Sequence, residues 1–367
     1  MREALQRFRL CEVCLNRQGV QVSQLELASP RECFICRGLT SKLDTVTGAL
    51  EKKIRGRDFR NFSVGLTLPE GVQEREDELR AEWKIKGRET IKAQLSRTIA
   101  ATLSSSCRRT VNKLRPELLI LVDLASNGAK FLSRPVFVYG RYTKPSGLPQ
   151  HKQRCPTCGG RGCQTCSFTG LESAPSVESI LQKKIGQLLG SDNVRISWLG
   201  SEDAESKVFP PGRPFVAEAK SPTKRKIPKG FGTRTGAGQL KVTRLKLLAG
   251  KPSRLPTFRF RTKAFVESAT KIRSDDLRPL TKQFRNTMVE FQRPGESPVL
   301  RTVYRVRARL VRGAIQADIE LDGGLPVKRL VSGESVSPSF TEVLKTELRC
   351  RKFDIYRVSE TSEFEFA

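Results

Sequence analysis

Two sets of residues in this chain have types and spacings that could do chemistry. Eight of its ten cysteines fall in four Cys-x-x-Cys pairs: Cys11/Cys14, Cys33/Cys36, Cys155/Cys158 and Cys163/Cys166. Eighteen residues separate the first two pairs, which lets the chain double back and present four thiolates at the corners of a tetrahedron. A structural zinc needs that geometry and no open position. The second four lie within twelve residues, and Gly159, Gly160 and Gly162 allow the tight left-handed turns between them. An iron–sulfur cluster is the soft-ligand alternative for that second set. Two structural zinc ions are therefore expected, while Cys107 and Cys350 read as ordinary core or surface thiols.

The second set is Gly200-Ser201-Glu202-Asp203, closed off by Gly212-Arg213-Pro214-Phe215. It follows an apolar run ending Ile196-Ser197-Trp198-Leu199, where a strand would end and hand its last carboxylate to a cleft. A carboxylate there can act as a nucleophile or a base. An isolated loop acid is more often just solvated. The chain holds one histidine, His151, which reads as an exposed linker residue, so histidine-based triad chemistry has no source.

These residues sit in a chain of 367 with 67 Lys+Arg against 38 Asp+Glu, a net charge of +29. The length suggests two or three domains. The charge points to a polyanion, with nucleic acid ahead of a membrane surface. No apolar run approaches the ~20 residues that span a bilayer. Met1-Arg2-Glu3-Ala4 leads into no apolar signal segment, so a cytoplasmic protein is expected, in which paired cysteines bind metal rather than form disulfides.

The positioning elements can be read in order. Residues 1–38 form the first zinc module. Residues 39–150 read as one α/β unit. Phe62, Val64 and Leu66 alternate as a strand, Ile91, Leu95, Ile99 and Leu103 recur at helical spacing, and Leu118–Val122 is a buried strand. The charged run Glu74–Glu89 reads as a solvated helix face. Val136–Tyr142 reads as a further strand, with Arg141 and Lys144 free to meet RNA or to sit as ordinary strand-end residues. Residues 151–170 hold the second metal cluster, and 171–367 form the largest unit. There, Val177 to Leu189 is an amphipathic helix, and a strand is expected from Val216. Gly230–Gly238 reads as a mobile loop. Gln239–Lys263 carries eight Lys/Arg and no acid, for which phosphate is the natural partner. Around a two-residue turn at Arg312-Gly313, Arg307 would face Asp318 and Arg305 would face Glu320. That assigns these arginines to a cross-strand ion-pair ladder first and to RNA second.

With these motifs assembled, the chain resembles the archaeal tRNA pseudouridine(54/55) synthases, which carry a THUMP domain. The resemblance runs nearly end to end. It rests on both cysteine sets, on Glu74–Glu82, on Phe137-Val138-Tyr139-Gly140-Arg141-Tyr142, on Ser176-Val177-Glu178 and on Gly212–Val216. Near the end it takes in Gly323-Gly324, Lys328 in a strand, and Ser332-Gly333. It implies an α+β fold, with a THUMP-type region over 39–150 and a pseudouridine synthase domain over 171–367, an antiparallel sheet flanked by helices. It implies an RNA isomerase acting on uridine 54, uridine 55 or both in the TΨC arm of tRNA, as a monomer and without a redox cofactor.

In this resemblance Asp203 matches the catalytic aspartate, as nucleophile at the ribose or as a base. Ser201 stands where the family has an arginine, and Lys207 is the nearby basic residue that would compensate. Thr262 and Pro326 stand where the family places tyrosines at the substrate. Phe260, two residues from Thr262 on the same side of a strand, would supply an aromatic face or would be core. Arg213 completes the substrate-binding set. The alternative is a zinc-stabilised tRNA-binding or tRNA-folding protein with weakened or lost catalysis. A basic DNA-binding zinc protein ranks last, because no helix has groove-reading spacing.

Overall fold

The computed structural model describes residues 8–19, 27–292, 295 and 297–366; the reading of the first four residues lies outside these. Two compact units emerge, each with its own core. One ends at Arg134 and also takes in Ser221–Arg225. The other comprises Pro135–Lys220 and the chain from Lys226 onward.

In the first unit, α1 (Glu12–Gln18) and α2 (Leu43–Ile54) precede β1 (Asn61–Thr67), α3 (Val72–Glu82) and α4 (Ile91–Cys107). Then come β2 (Thr110–Val111), β3 (Leu118–Asp123) and β4 (Gly128–Ser133), in sheet order β2-β1-β3-β4. Thr90 caps α4 by accepting from the Ala93 N–H at 3.2 Å, which satisfies one of the open donors of a helix start. Ile91, Leu95, Ile99 and Leu103 of α4 are fully buried, with Phe62, Leu118 and Ile120 of the sheet. Burial of each such side chain stabilises the unit by roughly 1.5–3 kcal/mol.

The charged helix α3 is not a solvated face throughout. Glu76 is buried and takes Arg17 Nε at 2.9 Å, Gln18 Nε2 at 3.0 Å and the Ile91 N–H at 2.8 Å. One carboxylate thus ties α1, α3 and the start of α4 together, because a buried charge persists only when paired and hydrogen-bonded.

The second unit is built on an eleven-stranded sheet. Its chain order is β5 (Val136–Lys144), α5 (Val177–Leu189), β6 (Asn193–Trp198), β7 (Val208–Lys220), β8 (Phe231–Thr235), β9 (Gly238–Leu247), β10 (Pro252–Arg254) and β11 (Phe258–Ser268). There follow α6 (Arg278–Gln283), β12 (Thr287–Phe291), β13 (Val299–Val311), β14 (Ala314–Asp322), α7 (Val327–Ser332), β15 (Val336–Ser337), α8 (Phe340–Leu344), β16 (Leu348–Glu360) and β17 (Glu365–Phe366). The sheet runs β15-β12-β13-β14-β11-β16-β7-β5-β9-β8, with β6 added on β7, while β10 and β17 pair apart. This α+β architecture is the expected one.

Several sequence expectations are corrected here. The strand Val136–Lys144 lies in the second unit, between β7 and β9, so the first unit ends at 134 and not at 150. A strand's own pattern does not say which sheet it joins. Gly230–Gly238 is not a free loop, since β8 pairs with β9 across it. The strand expected from Val216 begins at Val208. Lys328 is helical, and Pro326 is the residue that precedes that helix rather than a member of a ladder.

The hairpin register came out as read. Arg307 faces Asp318, Arg305 faces Glu320, and Val311 faces Ala314. Arg312 and Gly313 both have positive φ, 51° and 79°, the conformation a two-residue hairpin turn requires.

Candidate active site and metal centres

The sheet is nearly split where β7 meets β16. The two touch at the single parallel partner pair Ile355–Val208, and beyond it β7 is flanked by β5 and β6 instead. The segment 199–207 enters at that split. It is held by buried polar groups whose roles the sequence did not reveal.

Lys144, 4 % exposed, directs its ammonium at the carbonyls of Leu148, Asp203, Ala204 and Ser206, at 2.6–3.1 Å. Burial lowers its pKa to about 8. Gln150 donates to the Gly200 carbonyl at 3.3 Å and accepts from the Glu202 N–H at 3.1 Å. Arg213, also buried, reaches the carbonyls of Leu199 and Ser201 and pairs with Glu202 at 2.7 Å. Gly200 has φ +90°, and a Cβ there would lie 2.5 Å from the Arg213 guanidinium. Only glycine fits so close an approach.

The two adjacent acids are thus divided. The Glu202 side chain is fully buried, paired with Arg213 and bonded by the Tyr142 hydroxyl at 2.5 Å. Burial, then the Glu202 charge, pushes the Tyr142 phenol well above its ordinary range. Asp203 remains 36 % exposed, and Lys328 Nζ lies 2.9 Å from its Oδ2. That oxygen is inaccessible to water, which leaves Oδ1 as the open one. The loop that carries Asp203 contributes Gly200 and Ser201 to a pocket of about 470 Å³, with Arg213, Phe260, Thr262, Pro326 and Arg329 among its walls. Lys328 lines a second pocket of about 440 Å³ with Ser332, Arg349 and Arg351. Asp203 itself lines neither pocket; a half-exposed carboxylate fixed by a cation can attack an electrophilic carbon or take a proton.

The other singled-out residues divide as follows. Thr262 is buried in the wall of the first pocket, and its hydroxyl has no partner. Phe260 is buried beneath the Arg213 guanidinium, 5.2 Å from its ring centroid, so core packing describes it better than a free aromatic face. Lys207 does not reach Asp203. Its N–H donates to Asp354 and its carbonyl accepts from Ile355 N, with the side chain exposed. The cation beside Asp203 is Lys328, which arrives from α7. Arg141 is equally removed from solvent, bonded to the Val358 carbonyl at 2.8 Å and paired with Glu360 at 2.7 Å. His151 is exposed, its ring edge-on to Trp198 at 5.4 Å.

The two cysteine sets converge as two groups of four. All sulfurs within a group lie within 4.8 Å of one another. The Cys11–Cys36 and Cys163–Cys166 separations are 3.8 Å, and Cys155–Cys163 is 3.9 Å. Four sulfurs about 2.3 Å from a central zinc would stand about 3.8 Å apart. Backbone N–H groups of Gly162, Cys163 and Gly170 point at sulfurs from 3.2–3.3 Å, and Arg17 reaches Cys14 Sγ at 3.6 Å. Donors aimed at sulfur suit thiolates. Either group could hold a metal ion.

The family model for the archaeal Pus10 THUMP domain matches residues 48–123, and that for the Pus10 C-terminal domain matches 137–241. The chain is 31 % identical over 364 residues to the tRNA pseudouridine synthase Pus10 of Cenarchaeum symbiosum, covering 95 % of this chain and 90 % of that one. The chain belongs to the Pus10 family. The Pus10 of Nitrosopumilus maritimus is 26 % identical over 371 residues, covering 97 % of this chain and 96 % of that one. A likeness to a chain of the archaeal box H/ACA sRNP Nop10–Cbf5 complex covers 60 % of this chain and 47 % of that one, at 11 % identity and a TM-score of 0.31. So loose a match fixes nothing further. Among the described residues no helix is long and apolar enough to cross a membrane.

Proposed function

We propose that this Pus10 family member isomerises uridine to pseudouridine in the TΨC arm of tRNA, at position 54, 55 or both, with Asp203 as the nucleophile. The observation that carries the reading is the Asp203–Lys328 pair, whose chain neighbours Ser201, Val327 and Arg329 line the 470 Å³ pocket. Lys328 holds Oδ2, so Oδ1 is free to attack the anomeric carbon of a uridine turned out of its stack. The N1–C1′ bond breaks and uracil leaves with the electron pair. The base turns, C5 bonds to C1′ as the carboxylate departs, and the C5 proton is lost while N1 gains one. Product and substrate are isomers. Thr262 would meet a polar edge of the base, a role supported by its unpartnered hydroxyl.

Zinc in both cysteine groups, and a cytoplasmic monomer, complete the reading. A tRNA-binding or tRNA-folding protein with weakened or lost catalysis is the rival reading, favoured by Ser201 at the family's arginine position and by Thr262 and Pro326 at its tyrosine positions. Unmodified tRNA transcript is incubated with the wild-type protein and with Asp203→Ala, and pseudouridine is then mapped. Turnover at 54 or 55 that disappears in the variant supports the enzyme. Salt-sensitive binding without product from either protein would leave only the binder.

A further inference from the structure

The face of the large sheet turned away from the 470 Å³ pocket carries a charge excess that the fold does not neutralise. On β11, Phe260, Thr262 and Ala264 are buried, with Phe260 and Thr262 in the pocket wall, so alternation turns Arg259, Arg261 and Lys263 the other way. On β13, Arg305, Arg307 and Arg309 share that outer face by register. Between these basic strands runs β14 with Asp318 and Glu320. Glu320 is divided between Arg259 at 3.4 Å and Arg305 at 3.7 Å. Asp322, at the strand end, is taken by the Thr302 N–H and the Tyr304 hydroxyl. Asp354, opposite Lys263, is taken by the Lys207 N–H. Among the described residues Arg261, Arg307 and Arg309 form no ion pair.

β16 makes the imbalance sharper. Arg357 stands directly opposite Arg261, an arrangement that destabilises a bare sheet. Both line a cavity of about 350 Å³ with Arg259, Ser359, Thr361 and one carboxylate, Glu320, which is already held between Arg259 and Arg305. Guanidinium groups and hydroxyls converging on one hollow suit a phosphate, which would relieve the repulsion. The face also has flat surfaces for bases. The Arg259 guanidinium lies 3.6 Å over the Tyr304 ring, and exposed Tyr356 stacks on Phe209 at 4.6 Å with Lys263 above it. Arginine in excess over lysine, set beside half-buried Tyr304 and exposed Tyr356, suits a nucleic-acid strand. An acidic protein would need the charge but not the rings.

We propose that this outer face binds the backbone of a second RNA segment, one outside the arm whose uridine meets Asp203. The proposal rests on tRNA being the substrate, but not on Asp203 acting.

The test measures binding of full-length tRNA transcript and of an isolated TΨC-arm hairpin across a salt series. It compares the full chain with Arg261→Gln/Arg357→Gln, all in an Asp203→Ala background so that turnover cannot enter. The double variant should bind full-length tRNA roughly tenfold more weakly at moderate salt, and its log K against log[salt] slope should be shallower by about 1.4–1.8. Hairpin binding should be unchanged. Arg307→Gln/Arg309→Gln should act in the same sense, which guards against a fold effect peculiar to one pair. Unchanged slope and affinity for full-length tRNA would overturn the proposal. So would an equal loss for the hairpin, which would mean the cations act only as a general field. Absence of pseudouridine from the wild-type protein in the catalytic assay, with this difference intact, would sink the Asp203 reading alone.

Discussion

At the scale of single residues, the site depends on how charge is divided between two neighbouring acids. Glu202 is structural and Asp203 is open. Glu202→Ala should leave Arg213 buried and unpaired, costing about 3–5 kcal/mol, read as a fall in the denaturation midpoint. Lys328→Met should lower turnover on the order of a hundredfold with tRNA affinity nearly kept, and Lys328→Arg should restore part of it. Lys144 gives a pH signature. Free lysine titrates near 10.4, whereas burial brings Lys144 to about 8. Between those values the unfolded chain holds more protons than the folded one, so this residue adds to stability as pH rises. Turnover should move oppositely, because above about pH 8 the cation that gathers the carbonyls of Asp203, Ala204 and Ser206 loses its charge. A rate profile should show an alkaline limb near 8 that vanishes in Lys144→Met, while the melting temperature does not fall over the same limb. A parallel fall in both would refute this account.

At the scale of elements, what was legible in the sequence follows from the range of the interaction. The hairpin Val299–Asp322 could be read to the residue because its alternation and its Arg312-Gly313 turn are local. Helix α5 was legible for the same reason. Its capping serine Ser176 accepts from the Ser179 N–H, Gly190 closes it in the left-handed conformation, and its apolar spacing lies between. The cation on Asp203 was not legible. Lys328 stands far along the chain, and the resemblance placed it in a strand rather than on a helix. Nor could alternation show that Arg141 and Lys144 turn inward, since a basic residue at a strand end is ordinarily solvated. The like-charge pair gives a test at this scale. Arg357→Gln should raise the melting temperature of RNA-free protein by removing the repulsion against Arg261, and added inorganic phosphate should stabilise the wild type more than this variant.

At the scale of the whole molecule, two cores make a single unfolding transition the wrong expectation. Calorimetry should resolve two. Elemental analysis should find about two zinc ions per chain. A chelator should move the transition of the first unit most, because the Cys11–Cys36 group is continuous with that unit's core and metal binding there is part of its folding energy. Iron at the Cys155–Cys166 group would overturn the zinc assignment.

The five residues Ser221–Arg225 belong to a unit that otherwise ended at Arg134. Thr223 accepts from the Asp58 N–H at 2.8 Å, and the Arg225 side chain reaches the carbonyls of Glu117 and Arg134. A nascent chain leaves the ribosome amino end first, so the amino-terminal unit must wait, with Glu117 missing one of its cations, until some ninety further residues have been added. Translation order and the order of completion are therefore interleaved. A fragment cut at Arg134 would be the arrested form of that wait, and would be less stable than the same residues in the whole chain.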